Sequence, residues 1–422
     1  MSKIDKLFKF IETSPTAFHT VATITDALRA NGYTELYESD SWGGKVGKFY
    51  VKRSDSSIIA FRLGETRHSF NICATHSDQP AFAIKANEQK GSTYAVLDTE
   101  KYGGSIHYTW LDRPLGIAGR VVVKTDSGLK KVLCNLDTTV TIPSVAIHFN
   151  RGVNDGFKFN PAVDLLPLYS LNGGTALADK IAAAASVNKE DIISHELYVY
   201  NKDSGVLFGA DDEFALCPRL DDLACVYASV NGFFTAKTVD SIPVLAVFNN
   251  EEVGSETKQG AASTFLYDVL SRIAGDSETY QRMIANSFML SADNAHAIHP
   301  NHPEMSDSKN APILGGGVVV KYNSNCRYAT DSVSAGIFYT LAERCGVKTQ
   351  DYYNRADMLG GSTLGSISNT VVSIPTVDIG LPQLAMHSAN ETMGVTDLDD
   401  MCRVIAEFYS TTLRNVGDNI VF

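Results

Sequence analysis

The chain has 422 residues, enough for two ordinary domains, and 44% of them are hydrophobic, so a large core is within reach. Acidic residues outnumber basic ones by 48 to 36, a net charge of −12, which argues against the basic footprint that nucleic-acid binding needs. No apolar run of about 18 residues offers a membrane span. The seven cysteines are scattered without a Cys-x-x-Cys pair, which points to a reduced, cytoplasmic protein with neither a disulfide framework nor a thiolate zinc site.

In chain order, Asp5, Lys6, Lys9 and Glu12 interrupt the first apolar positions at helical spacing, so the N-terminus reads as an amphipathic helix over 3–12 and not as a signal peptide. A second helix is expected over 17–31, then strands near 46–53, 57–64 and 69–75. Between about 90 and 160 the texture changes to short β-branched runs, "SIHYTW", "GIAGRVVVKT", "KKVLCNL" and "TVTIPS", punctuated by Gly, Asp and Asn. That pattern predicts an all-β module. "GGTALADKIAAAASV" then reads as a helix and "HELYVYN" as a strand. From about 208 the elements alternate again: "LDDLACVYASVNGFFTA" helical, "IPVLAVFN" extended, "AASTFLYDVLSRIAG" helical, "NSFMLSAD" extended, "SVSAGIFYTLAERCG" helical, "TVVSIPTVDIG" extended, and a closing helix from "VTDLDDM". Alternation of this kind implies an α/β fold with a central, mostly parallel mixed sheet. The β-rich stretch, 90–207, would then be an insertion between a first part, 1–89, and a second part, 208–422.

"VLAVFNNEE" ends an apolar run on two adjacent carboxylates, Glu251 and Glu252, whose charges need compensation near a core. Four other places gather similar groups. "SFNICATHSDQP" ends in His76 and Asp78, and "PRLDDLA" opens a helix with Asp221 and Asp222. "SFMLSADNAHAIHP" ends in Asp293, with His296 and His299 close behind, and "LPQLAMHSANE" carries His387. In open α/β sheets ligands bind outside the carboxyl ends of the strands. His, Asp and Glu without Cys form a nitrogen and oxygen donor set for zinc or a similar divalent ion. One glutamate of the pair can then bind metal while its neighbour acts as a base on water.

At these residues the sequence resembles the aspartyl aminopeptidases, cytosolic metallopeptidases with two co-catalytic zinc ions. The resemblance runs from "TSPTAFHTVA" to the last helix, through "ATHSDQP", "PRLDDL", "NNEEVGSETKQGA", "SADNAHAIHPNHP" and "QLAMHSANETMG". It implies a metallopeptidase domain interrupted by a β-rich dimerisation domain, dimers assembled into a dodecamer, and a peptide substrate with an acidic first residue. It also implies the roles: Asp221 bridges two ions, His76 and Asp293 complete one site, Glu252 and His387 the other, and Glu251 is the general base. Asp78 would hydrogen-bond the far nitrogen of His76. His148 would reach a neighbouring subunit's site, His296 and Lys321 would line the substrate pocket, and the "GGSTLG" loop with Gly361 would lie beside the substrate. Cobalt or manganese would suit the same donors as zinc.

Other groups read more plainly. His19, His68, His107 and His195 read as surface or satisfied histidines, Asp222 and Glu256 as helix-start acids, and His299 and His302 as parts of a turn-rich stretch. "GGG" at 315–317 lacks a following Gly-Lys-Ser/Thr, and no Gly-x-Ser-x-Gly elbow occurs, so nucleotide and serine-hydrolase readings lack support. Two alternatives stand beside the main reading. One is a related two-zinc aminopeptidase or deacylase with non-acidic specificity. The other is a metal-containing assembly or binding shell, which has no need of Glu251.

Overall fold

A computed structural model of the chain describes residues 1–86 and 93–422 in full and the backbone of 89–90. Its centre is a nine-stranded mixed sheet. The spatial order is Thr34–Glu35, Gly47–Arg53, Ser57–Leu63, Ile242–Phe248, Phe70–His76, Phe288–Ala292, Thr376–Gly380, Val318–Tyr322, Thr349–Tyr353. The four strands from Ile242–Phe248 to Thr376–Gly380 run parallel to one another. They are continuous apolar runs because both of their faces are covered. Cys73, Leu245, Val247, Leu290 and Ile379 pack with the helices Ala17–Ala30, Leu220–Thr235, Ser332–Arg344 and Val395–Tyr409. Alternate positions, Ile72, Ala74, Val244, Phe248 and Met289, pack with the helices Phe265–Ala274 and Ser277–Ile284.

Parallel strands bring their carboxyl ends to one edge. Phe248 pairs with His76, and Ala292 with Ile379. The residues that follow each strand therefore emerge side by side. The expected helices fall at Lys3–Glu12 and Ala17–Ala30, and the early strands at Gly47–Arg53, Ser57–Leu63 and Phe70–His76. The helix Ser277–Ile284 escaped the reading because it buries only Tyr280 and Met283, too few positions to set up a helical period.

A second, antiparallel sheet has the order Gly128–Asn135, Leu115–Thr125, Ile192–Asn201, Ala81–Ile84, Thr99–Tyr102. It has its own core, in which Phe82, Trp110, Ile117, Val121, Leu197 and Val199 meet. A Cβ at Gly119 would collide with the Glu196 carbonyl, so only glycine lets the two long strands close there. The strand Ala81–Ile84 joins this sheet ahead of the expected boundary at 90, because the chain leaves His76 through "SDQP" directly into it. Residues 87, 88, 91 and 92, at that boundary, lie outside the described set.

A third sheet pairs Val206–Phe208, Phe214–Cys217, Glu391–Gly394, Pro382–Leu384 and Ala295–His296, continuing from the carboxyl ends of the central strands. Its strands have two to four residues and join distant segments, so no local pattern announces it. No helix among the described residues is long and apolar enough to cross a membrane.

Candidate metal centre

Asp221 enters the site through an unusual helix start. Arg219 adopts a left-handed conformation, φ 59°, and its buried guanidinium donates to the carbonyls of Asn201 at 2.8 Å and Ile11 at 3.2 Å. Asp221 and Asp222 are not yet helical, at φ −81°, ψ 112° and φ −109°, ψ 15°. This pinned turn aims the Asp221 carboxylate across the strand ends.

Each Asp221 oxygen meets a different imidazole. Oδ1 lies 3.3 Å from His76 Nε2, and Oδ2 lies 3.4 Å from His387 Nε2. A further carboxylate completes each side. Asp293 Oδ1 stands 3.7 Å from His76 Nε2, and Glu252 Oε2 stands 3.4 Å from His387 Nε2. Two donor groups thus share Asp221, and all five expected ligands come together.

Hydrogen bonds at the far ring nitrogens fix what these near nitrogens offer. His76 Nδ1 lies 3.1 Å from the Asp78 carbonyl oxygen, and His387 Nδ1 lies 3.1 Å from that of Gly104. A carbonyl only accepts, so Nδ1 carries a proton in both rings and each ring turns its Nε2 toward carboxylates, where it offers a lone pair whenever the ring is neutral. Such lone pairs repel the facing anions unless positive charge lies between them, a proton on Nε2 or a cation in its place. Asp221 Oδ1, Asp222 Oδ1 and Glu252 Oε1 are buried without a hydrogen-bond partner among the described residues. Buried anionic oxygens left in that state are costly. The donor set and its unsatisfied oxygens therefore fit divalent cations.

The protein's own electrostatics express the same demand. Burial pulls the His387 pKa down, but Asp221 and Glu252 outweigh it and hold the ring up at about 10. Burial likewise depresses His76, and Asp222, Asp221 and Asp293 raise it well above its ordinary value. Burial, aided by Asp293, Asp78 and Asp221 and opposed by His76, lifts Glu251 to about 7. The site holds more negative charge than its own side chains neutralise.

Asp78 acts differently from expectation. Its backbone carbonyl, not its carboxylate, takes the closer contact with His76 Nδ1, the nearest carboxylate oxygen being 3.5 Å away. The carboxylate instead accepts the backbone N–H groups of Glu251 and Glu252, each at 3.2 Å, and the Tyr102 hydroxyl at 2.6 Å. It thereby fixes the short turn Glu251–Val253, which Asn250 enters at φ 64°. Asn250 in turn donates to Tyr102 at 2.9 Å.

The remaining expected residues divide. Lys321 is 3% exposed and donates to Asp293 Oδ2 at 3.3 Å. Burial lowers its pKa, but Asp293 outweighs that and raises it. His296 is exposed at the end of the third sheet, its ring centroid 6.0 Å from that of Tyr352. Gly361 is exposed, just before the helix Leu364–Ser368. His148 is exposed in a turn of the β-rich region and joins neither donor group within the single chain. Asp222 stands at the helix start as expected and is fully buried there: its Oδ2 accepts the His76 backbone N–H at 3.1 Å. Glu391 was missed in the sequence. It accepts the backbone N–H of Asp221 at 2.9 Å and of His387 at 2.7 Å. Its signal was an acid four residues after His387 in "HSANE".

Known proteins resemble the chain along nearly its whole length. Residues 10–409 match the family signature of the aminopeptidase I zinc metalloproteases, M18. A probable M18 family aminopeptidase 2 of Clostridium acetobutylicum is 43% identical, over 96% of this chain and 98% of the relative. Among solved structures, a chain of the Ape4 and Nbr1 complex superposes with a TM-score of 0.92 at 31% identity, covering 97% of this chain and 85% of that one. The S. cerevisiae mApe1 dodecamer gives 0.84 at 26% identity, covering 96% and 95%. The match across nearly the whole chain leads to one conclusion: the protein belongs to the M18 family of zinc metallo-aminopeptidases.

Proposed function

We propose that the chain holds two divalent cations and removes the N-terminal residue of peptides, with preference for Asp or Glu. The observation that carries this reading is Asp221, set between two imidazole Nε2 atoms with one further carboxylate on each side. Cations held by His76, Asp221 and Asp293 and by His387, Asp221 and Glu252, most simply zinc, would polarise the scissile carbonyl and make a water acidic enough to ionise near neutral pH. Glu251 takes the proton from the attacking water and returns it to the leaving amine. Asp78 keeps Glu251 and Glu252 on separate tasks by anchoring both of their amides.

An acidic substrate side chain needs positive charge of its own, because the metal ligands already offset the cations. Lys321, His296, the Gly361 loop and His148 from a neighbouring subunit form the pocket in this reading. Residues 90–207 act as a dimerisation domain, and dimers build a dodecamer. Support for association comes from apolar side chains left in solvent on this region, with Phe149 87% and Val163 68% exposed. The free cysteines fit the reducing cytoplasm.

A specific observation favours a second reading, an aminopeptidase of the same centre without acidic preference: the Lys321 ammonium already pairs with Asp293. Steady-state kinetics on a panel of aminoacyl substrates, with zinc, cobalt and manganese, decide between them. The main reading expects kcat/KM for Asp and Glu substrates to exceed that for Ala and Leu substrates. A flat profile, or one favouring apolar residues, selects the second.

A further inference from the structure

Between His387 and the third sheet lies a carboxylate that the chemistry above does not use. Glu391 is 2% exposed and opens the strand Glu391–Gly394, paired opposite Cys217 at the end of the strand Phe214–Cys217. Four residues beyond Cys217 comes Asp221, and four residues before Glu391 comes His387. The ladder thus brings the roots of two donor residues, far apart in sequence, to one side chain. Glu391 Oε2 accepts from the Asp221 amide at 2.9 Å, and Oε1 accepts from the His387 amide at 2.7 Å.

Both amides need this acceptor. His387 sits at φ 67°, in the left-handed region that a β-carbon disfavours, and closes no regular structure of its own. Asp221 lies in the non-helical start of its helix, with no preceding turn of helix to receive its N–H. Opposite it, Asp222 performs a comparable task for His76, accepting its backbone N–H at 3.1 Å. The two halves of the centre are therefore braced by different carboxylates.

We infer that Glu391 is the positioning residue of the His387–Glu252 half, holding His387 and Asp221 at the spacing a cation there requires. This rests on the two-cation reading given above. Glu391 touches neither substrate nor cation; it acts through the backbone of two residues that do. Replacing it by Gln keeps its volume but turns an amide N–H₂ toward one of the two N–H donors, so one of them loses its acceptor. Because Asp221 serves both halves while His387 serves one, the damage is unequal.

The test is calorimetric titration of the metal-stripped, full-length chain with zinc alone, for the wild type and Glu391→Gln. Anomalous diffraction from crystals holding one and two equivalents assigns each site. The wild type is expected to bind two ions. In Glu391→Gln the ion beside His387 and Glu252 should bind about 10–100-fold more weakly, the usual cost of losing an outer-shell partner, and the ion beside His76 and Asp293 should be affected less. Thermal melting of the metal-free proteins checks the fold. If Glu391→Gln does not fold, Glu391→Asp, which keeps the charge but cannot span both amides, should show the same order of losses. Equal weakening of the two sites, or a greater loss beside His76, overturns the inference and leaves the two-cation reading standing. A wild type that binds a single ion overturns both.

Discussion

The central sheet and the antiparallel β-rich sheet each enclose an apolar core, yet they treat their remaining chemistry in opposite ways. The central sheet turns its polar groups inward, at the carboxyl ends of parallel strands, where His76, Asp221, Glu252 and Asp293 are held by designated partners. The β-rich region turns apolar groups outward: Phe149, Val145, Ile147 and Val163 face solvent. Unpaired charge inside one region and uncovered apolar surface outside the other are both unfinished states. In the reading proposed here the first is completed by cations and the second by another copy of the chain.

The largest effect that can break this contrast lies within the glutamate pair. Glu251→Gln should leave the metal content intact and lower kcat by about 10²-fold or more, the upper part of the general-base range. Glu252→Gln should lose metal instead, measured as zinc per chain after dialysis. Exchanged phenotypes would reverse the assignment within the pair.

Lys321 comes next, because two anions compete for its charge. Lys321→Met should lower kcat/KM for an Asp substrate by about 10²-fold and for an Ala substrate much less, if the ammonium turns from Asp293 to the substrate. Equal losses on both substrates, together with weaker metal retention, would assign the lysine to Asp293 alone.

On the β-rich side, Phe149→Asp should dissociate the assembly, read as sedimentation coefficient, and reduce activity about 10-fold through loss of the neighbour's His148. An active monomer would remove the subunit role proposed for this region. A control for the core is His19, hydrogen-bonded to Thr16 and pushed down to about 4 by burial. Its unfolded form takes up a proton near 6.5 and its folded form only near 4, so stability falls as pH drops through that window. The loss should be about 1–2 kcal/mol, allowing for partial exposure, and should be absent in His19→Gln when urea midpoints at pH 4 and 7 are compared.

These same contrasts explain what the sequence could reveal. The expected ligands His76, Glu252 and Asp293 stood out because each follows an apolar, both-faces-buried strand, and such runs are conspicuous. The early helices were legible from the spacing of their charged and apolar positions; the reciprocal Ser2–Asp5 cap that opens the first emerged only in the structure. What escaped notice depends on pairing across long stretches of chain. Glu391 does its work only because its strand lies beside Phe214–Cys217. The division of labour in Asp78, carbonyl to His76 and carboxylate to the glutamate amides, depends on a loop conformation that no spacing encodes. The β-rich boundary was misjudged at Ala81–Ile84 because four residues suffice to carry the chain from one sheet to the other.

The central claim is that Asp221 divides one centre into two cation sites. Anomalous diffraction from crystals of the zinc-loaded chain tests it most directly. Two peaks are expected to flank the Asp221 carboxylate, one beside His76 and Asp293 and the other beside His387 and Glu252. A single peak, or zinc bound away from Asp221, would contradict it.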